Sequence, residues 1–464
     1  MNKIVFTTLI IIFLSFNFLI SQEKTYKKRV LESTEIDLLG SFYSQDGNNG
    51  SVTGGIGSEE LIDIPGSITV RVPLNDDDIL SIDGGISAYT SASSSNQDPF
   101  DGEIDDEGSP WIVSTGASRK FLLATISAGY SHSSEDRNFI WDGNISASIE
   151  FDYKSFGFGG GFTKFFNQKN TKLNVKASVF LDNWMPLYPV ELGAYLDPKR
   201  KGDKIFLDGV SILNQQGNVT DRSSNETWSP FKNSLLDNTE RNNYSLSINF
   251  SQIVNAHLKF SIFADVISQT GWLANPMQRV YFQDKPNYYI GDAYGIPIYT
   301  SKENTSVFHL ADDIERLPDG RLKIPFGTRL NYYVNQHLVI RTYYRYYSDD
   351  WGVDSNTYEI ELPLKFIDKW TFTPSFRYFN QTAAKYFAGY NEHLSTQDYY
   401  TSDFDLSSFN ARQYGLSIRY TDNFLKNKIF KFGLKTVEMK FNSYERNTGL
   451  KSGNLSIGLK FIKQ

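Results

Sequence analysis

Apolar and polar residues alternate along most of this chain, most regularly in four consecutive segments around residue 350. In residues 321–334 the even positions are Leu322, Ile324, Phe326, Thr328, Leu330 and Tyr332, set against Arg321, Lys323, Pro325, Gly327, Arg329 and Asn331. Residues 337–347 put Leu338, Ile340, Thr342, Tyr344 and Tyr346 on one face, and Arg341 and Arg345 on the other. Residues 357–366 alternate Tyr358, Ile360, Leu362, Leu364 and Phe366 with Glu359, Glu361, Pro363 and Lys365. Residues 370–378 set Phe372, Phe376 and Tyr378 against Thr371, Thr373, Ser375 and Arg377. A period of two predicts strands, because successive side chains leave a pleated backbone on opposite sides.

Such strands build either a soluble sandwich or a membrane barrel. In the barrel the apolar face meets lipid and the polar face lines the interior. The segments reach the length that spans a bilayer as a tilted strand, and Tyr and Phe crowd their ends. The barrel is therefore the favoured reading. The same rule places strands near 35–43, 61–73, 79–91, 111–132, 139–151, 156–166, 171–182, 244–253, 258–266, 321–334, 337–347, 357–366, 370–378, 410–420, 429–441 and 455–461. A change of apolar phase near Thr436 predicts a bulge. Parity fixes the count. With 111–132 as one strand, the long connections 45–60, 92–110, 183–240, 268–320 and 381–409 all fall at one end, and short junctions at the other. The prediction is an all-β, single transmembrane antiparallel up-and-down barrel of sixteen strands, with fourteen or eighteen as the neighbouring solutions. Its long loops are extracellular and its short turns periplasmic.

Composition sharpens this. The chain has 464 residues, 15% of them aromatic, with 28 Tyr and 35 Phe, which suits two interfacial girdles. It has no cysteine, so disulfides and thiolate sites are excluded. The net charge of −7, with basic residues spread singly, gives no reason to expect nucleic acid. Residues 1–21 read as a cleaved signal peptide: Lys3 precedes an apolar run to Ile20, and Ser21-Gln22 suits cleavage. A membrane anchor is the alternative. Residues 22–34 form a basic periplasmic lead-in, and 35–464 the barrel. An exported chain that crosses with strands points to an outer membrane and its lipid, since a barrel closes its edges. The end Leu455-Ser456-Ile457-Gly458-Leu459-Lys460-Phe461 resembles the final strand that barrel-assembly machinery recognises, apart from three trailing residues.

Several stretches resemble domain-of-unknown-function family 3570, a family of outer-membrane barrels: 180–192 (FLDNWMPLYPVEL), 278–282 (QRVYF), 343–361 (YYRYYSDDWGVDSNTYEIE), 376–387 (FRYFNQTAAKYF) and 399–409 (YYTSDFDLSSF). The resemblance implies a Gram-negative, Bacteroidota-like outer membrane. It implies no established activity, and suggests a link to envelope redox or flavin chemistry.

Three constellations could carry chemistry. By phase, Lys323, Arg329, Arg341, Arg345, Glu359, Glu361, Lys365 and Arg377 share the interior face of four adjacent strands. They form either a cross-strand lattice that stiffens the wall or a charged constriction that selects ions or anionic solutes. Interior positions elsewhere are small (Ser245, Ser247, Asn249, Ser251, Gly415, Ser417, Ser456, Gly458), so a pore is expected, with the long loops as candidate plugs. An acidic, aromatic rim holds Asp182 and Trp184, then Asp349, Asp350 and Asp354, then Asp403 and Asp405. Converging carboxylates could bind Ca²⁺, whereas solvated loop acids bond their own backbone; no metal is assigned. Finally, Thr115-Gly116-Ala117-Ser118 resembles the core at which a flavin transferase attaches FMN, which would modify Ser118. Ile112 stands where such sites carry Asp, and four small strand residues are the alternative, so no cofactor is assigned.

No histidine lies in a nucleophile motif, and Gly157–Gly161 sit inside a strand rather than at a phosphate-binding turn, so no enzyme is predicted. Two functions remain: a pore of unknown solute, and a non-conducting scaffold whose loops 183–240 and 268–320 bind an envelope protein.

Overall fold

Each alternating segment becomes a strand, and the strands pair in chain order. The computed structural model describes residues 29–90, 120–186, 188–196, 210–220, 227–230, 239–299 and 306–464. The strands are β1 (Glu35–Asp46), β2 (Leu61–Pro73), β3 (Asp78–Thr90), β4 (Lys120–Ser133), β5 (Phe139–Ile149), β6 (Tyr153–Phe166), β7 (Thr171–Trp184) and β8 (Thr239–Ile253). They continue as β9 (Leu258–Gly271), β10 (Gly320–Asn335), β11 (Leu338–Asp349), β12 (Asp354–Glu361, resuming as Leu364–Ile367), β13 (Trp370–Gln381), β14 (Phe409–Thr421), β15 (Phe432–Arg446) and β16 (Lys451–Lys463). Every neighbour pair is antiparallel, and β1 pairs with β16 from Glu35↔Ile462 to Asp46↔Lys451. The sheet is thus a closed sixteen-stranded barrel without free edges. The expected bulge is present, as the β15–β16 register slips between Leu434 and Thr436. The break in β12 falls at Pro363, which has no N–H to give. Its carbonyl still accepts from Val339 N at 3.2 Å, and Leu362 N donates to Pro374 O at 3.0 Å.

Several strands run further than the alternation predicts, and the largest additions are at the long-loop end. β8 begins at Thr239 rather than 244, and β9 runs to Gly271 rather than 266. Segments such as Thr239-Glu240-Arg241-Asn242-Asn243 are polar on both faces because they stand beyond the apolar belt, so no period of two marks them. The predicted signal peptide, the acidic stretch 92–109 and Ser118 lie outside the described residues.

The outer face is apolar in a continuous band, with Ile126, Ile145, Ile248, Ile262, Phe326 and Ile457 all exposed. Around them, Trp141, Trp370 and Tyr332 supply large aromatic side chains near the short turns. Among the described residues, no helix is long and apolar enough to cross a membrane.

At the long-loop end, the described parts of connections 47–60, 185–238, 272–319 and 382–408 fold on one another into a cap. Its apolar core joins Tyr188, Leu192, Trp228, Tyr281, Tyr288, Ile290, Phe308, Leu310, Ala311 and Ile314. Arg279 sits at the junction of three of these loops. It pairs with Glu191, on the short helix Val190–Leu196, through Nε–Oε1 at 2.6 Å and Nη2–Oε2 at 3.0 Å, both side chains fully buried. Its Nη1 also donates to Val52 O at 2.8 Å. A planar fork suits this role, since the bidentate geometry satisfies a buried carboxylate. Tyr400, from the fourth loop, donates to Asp313 Oδ2 at 2.5 Å and packs edge-on against Phe282.

Candidate functional site: a capped lumen with opposed charges

Register shows which residues share a face, because directly paired residues point to the same side. From Arg329 the pairing runs to Tyr343, Glu359, Arg377, Gln413, Tyr444, Ser452 and Gln45. From Arg341 it runs to Glu361, Ser375, Gly415, Asn442, Asn454, Tyr43 and Asp63. Gln45, Gln413, Tyr444, Tyr43, Asn442 and Asn454 line a cavity together with cap residues, so this face is the lumen.

Five of the predicted lumenal residues come together. Arg329, Arg341, Glu359, Glu361 and Arg377 surround one concavity with Asn331 and Tyr343. Arg377 holds Glu359 through Nη2–Oε2 at 2.7 Å, and Arg341 Nη1 lies 3.6 Å from Glu361 Oε2. Arg329 is bound differently. Its guanidinium lies 5.1 Å from the Phe263 ring centre and 5.3 Å from that of Tyr343. Those rings stack at 5.7 Å with 8° between their planes. Gly327 makes this possible, since a Cβ there would stand 2.6 Å from Phe263 Cζ and 2.2 Å from Tyr344 O.

The other three lie apart. Lys323 stands six residues nearer the cap than Arg329, register partner of Asp349. Arg345 lies over the Tyr347 ring at 5.6 Å. Lys365 is exposed at the short-turn end, where its backbone N–H donates to His337 O at 2.8 Å. Among the described residues, no carboxylate comes within 4.0 Å of the charged nitrogens of Arg329, Arg345, Lys323 or Lys365, so the lattice is only partly neutralised.

The opposite wall carries the other sign. β1–β5 turn Glu35, Asp37, Asp63, Asp83 and Asp142 to the lumen, where Arg71 pairs with Asp37 at 2.9 Å and Lys460 of β16 with Glu35 at 2.7 Å. β10–β13 present Arg321, Lys323, Arg329, Arg341, Arg345 and Arg377 against Asp349, Glu359 and Glu361. In a ring of sixteen strands β3 stands across from β11, so the two groups face each other. The acidic wall escapes a reading of the sequence because each strand contributes only one or two carboxylates.

The rim acids do not converge. Asp349 accepts from Arg321 Nε at 2.9 Å, Tyr347 Oη at 2.6 Å and Val353 N at 3.0 Å, and its side chain is buried. Asp350 accepts from Leu322 N at 3.1 Å, and Asp354 from Tyr346 Oη at 2.9 Å. These three brace the β11–β12 turn. Asp182 is the register partner of Arg241 on β8. Asp403 and Asp405 belong to the cap. Asp403 accepts from Gln278 Nε2 at 3.1 Å, and Asp405 from Arg446 Nη1 at 2.6 Å. Trp184, Asp403 and Asp405 do share one cavity, of about 860 Å³, between the cap and the wall. Tyr43, Gln45, Glu59, Tyr89, Glu150, Tyr153, Arg241, Gln278, Gln413, Asn442, Tyr444 and Arg446 are among the other residues that line it. Arg241 and Arg446 have no sequence signal, as they lie outside the strand stretches read from the alternation, and Gln278 is marked only by the family-like stretch 278–282.

Burial tunes the cap's ionisable groups. It pushes Glu315 up to about 8, with the charge of Asp403 adding to the shift. Asp312 rises to about 7 and Asp403 to about 6, again chiefly through burial. His309, stacked between Tyr281 at 4.3 Å and Tyr289 at 4.7 Å, is pushed down to about 3. Its Nδ1 hydrogen-bonds the Tyr390 hydroxyl, so the ring is a neutral packing element. His257 and His337 stand at short turns, where each ring bonds a backbone carbonyl at 2.8 Å.

A closed barrel with an apolar exterior, a charged lumen and a folded cap defines the class. Residues 115–457 match the family model described as protein of unknown function (DUF3570), and the chain belongs to that family. Weak overall likenesses extend to solved structures. A bacterial polysaccharide outer membrane secretin is 10% identical, over 94% of this chain and 100% of that one, with a TM-score of 0.40. The Pseudomonas aeruginosa protein OccK2 (OpdF), solved in complex with glucuronate, is 9% identical over 94% and 100%, with a TM-score of 0.37. A ferric enterobactin receptor of the same organism is 10% identical over 90% of this chain and 55% of that one, with a TM-score of 0.39. A comparison with curated proteins finds no match.

Proposed function

We propose that this protein is a non-enzymatic pore of a Gram-negative, Bacteroidota-like outer membrane, and that polar solutes pass through its lumen beneath a folded extracellular cap. In this reading the chain is exported with a cleaved signal peptide, inserted by the barrel-assembly machinery, and set in lipid by the apolar band. The observation that carries the reading is the lumen itself. Its walls are mainly polar, with Leu39, Leu123 and Phe263 as apolar exceptions, and a mainly basic sector on β10–β13 faces an acidic one on β1–β5. Opposed charges set up a field across the path, which orients dipolar solutes and discriminates between ions. Arg341, Arg329 and Arg377 are the residues we assign to the selecting wall. The test is ion selectivity in a planar bilayer under a salt gradient. Arg341→Leu should move the reversal potential toward greater cation preference. A reversal potential unmoved by Arg341→Leu, Arg329→Leu and Arg377→Leu would remove these residues from any selecting role.

One observation favours the partner-binding reading. On the cap, Tyr294 and Ile298 are 90% and 76% exposed on one short 3₁₀ turn, an apolar pair with no covering element among the described residues. Co-purification lost in a Tyr294→Ser/Ile298→Ser variant would support that role.

A further inference from the structure

We infer that the cavity between cap and wall is a binding site for a short neutral saccharide. Its size, about 860 Å³, falls within the roughly 300–1,000 Å³ of small-molecule sites. Two kinds of side chain line it. Trp184, Tyr89 and Tyr444 supply flat amphipathic faces, and Gln278, Gln413 and Asn442 supply amides that both donate and accept. That pairing suits a sugar ring, whose C–H faces are apolar and whose rim is hydroxyl.

The charges nearby are largely engaged with the protein. Arg446 binds Asp405 at 2.6 Å and the Tyr444 hydroxyl at 2.8 Å. Glu150 accepts the Tyr89 hydroxyl, and Glu59 accepts Asn49 N at 3.0 Å. Arg241 lies over the Trp184 ring at 5.7 Å, while Trp184 Nε1 points to Asp152 Oδ2 at 3.4 Å, so the indole is fixed from two directions. An ionic ligand would have to compete with these pairs. A neutral polyol need not.

A second observation points to a hydroxyl donor. Gln278 is 6% exposed, and its Nε2 is committed to Asp403 at 3.1 Å. Its Oε1 is buried without a hydrogen-bond partner among the described residues. A buried acceptor left open costs free energy, and a ligand hydroxyl would satisfy it once the Gln278 amide turns toward the cavity that this residue lines. The cap brings Gln278 there from the loop between β9 and β10, whereas Gln413 and Asn442 come from the wall, so the site exists only when the cap is folded on the barrel.

The inference deepens the pore reading by naming a solute class, but binding can be measured whether or not the barrel conducts. The experiment titrates the detergent-folded full-length barrel with maltotriose, cellotriose, xylotriose and chitotriose, followed by tryptophan fluorescence and calorimetry. At least one trisaccharide should bind. Trp184→Ala and Gln278→Ala should each weaken it about tenfold or more. Heat-modifiable electrophoretic mobility shows that each variant is still a barrel, and Gln278→Glu, which keeps the acceptor, should bind better than Gln278→Ala. No heat and no fluorescence change with any of the four sugars overturns the inference. So does binding indifferent to both alanine variants, or a stronger response to choline than to the sugars. Conductance without sugar binding would leave the pore standing and sink this site. Sugar binding to a silent barrel would do the reverse.

Discussion

Ile262 and Arg341 lie on opposite faces of the wall, and substitutions there should fail differently. Ile262 is exposed at the centre of the apolar run of β9. Ile262→Arg should cost about 2–4 kcal/mol in lipid, the cost of a cation near the bilayer midplane. Leu338 is the first residue of β11, beside a turn, so Leu338→Arg should cost only about 0–1 kcal/mol. Arg341 faces the lumen, 3.6 Å from Glu361 and half exposed. Arg341→Leu should therefore change stability by about 0–1 kcal/mol while altering ion flow. Unfolding in urea from lipid vesicles measures all three. Equal penalties at Ile262 and Arg341 would reverse the assignment of faces.

At the scale of elements, the cap should come apart before the barrel does. Its loops meet at the buried Arg279–Glu191 pair, and Arg279→Met leaves a carboxylate without its partner. Breaking a pair of this kind costs about 3–5 kcal/mol, and here the loss should appear as cleavage in loops 185–238 and 272–319 under limited proteolysis, with the barrel core intact. Titration gives a second handle. Glu315 has its folded value near 8 against an ordinary 4.5, so over that range the folded cap holds a proton that the unfolded loop has released. Stability then falls as pH rises. Asp312 and Asp403 act in the same direction up to about 7 and 6. His309 acts oppositely, but only between about 3 and its ordinary 6.5. Between about pH 6.5 and 8 the acids act alone. Hydrogen-exchange protection of cap peptides, corrected for intrinsic rates, should fall there by up to about tenfold per pH unit for each proton involved. Glu315→Gln should flatten that dependence, and protection that rises with pH would contradict it. The sequence marks the long loops as candidate plugs by their length, but it does not foreshadow the core that folds them into a cap. Tyr281, Phe282, Ile290, Phe308 and Leu310 are buried, but they come from strand pieces of four residues or fewer and from turns, too short to show a period of two or of 3.6. The strands were legible because each meets an apolar medium on one side and a polar lumen on the other. The cap's core exists only through contacts between loops far apart in sequence, such as Arg279 with Val52.

For the whole molecule, sixteen strands were countable because every long connection falls at one end once residues near 111–132 are taken as one strand, although that end also carries the short turns 150–152, 350–353 and 447–450. The basic wall was legible too, since β10–β13 are adjacent in sequence as well as in space. Its acidic counterpart and the cavity under the cap became visible only on closing the ring, which brings β1 against β16 and β3 across from β11. Closure is also what makes a polar lumen into a path. Single-channel recording of the purified full-length barrel in a planar bilayer tests that path most directly. Discrete ion-conducting steps are expected at neutral pH, with a charge selectivity that changes in Arg341→Leu. A barrel shown to be folded and inserted, yet silent at every applied voltage and also after proteolytic removal of the cap, would contradict it.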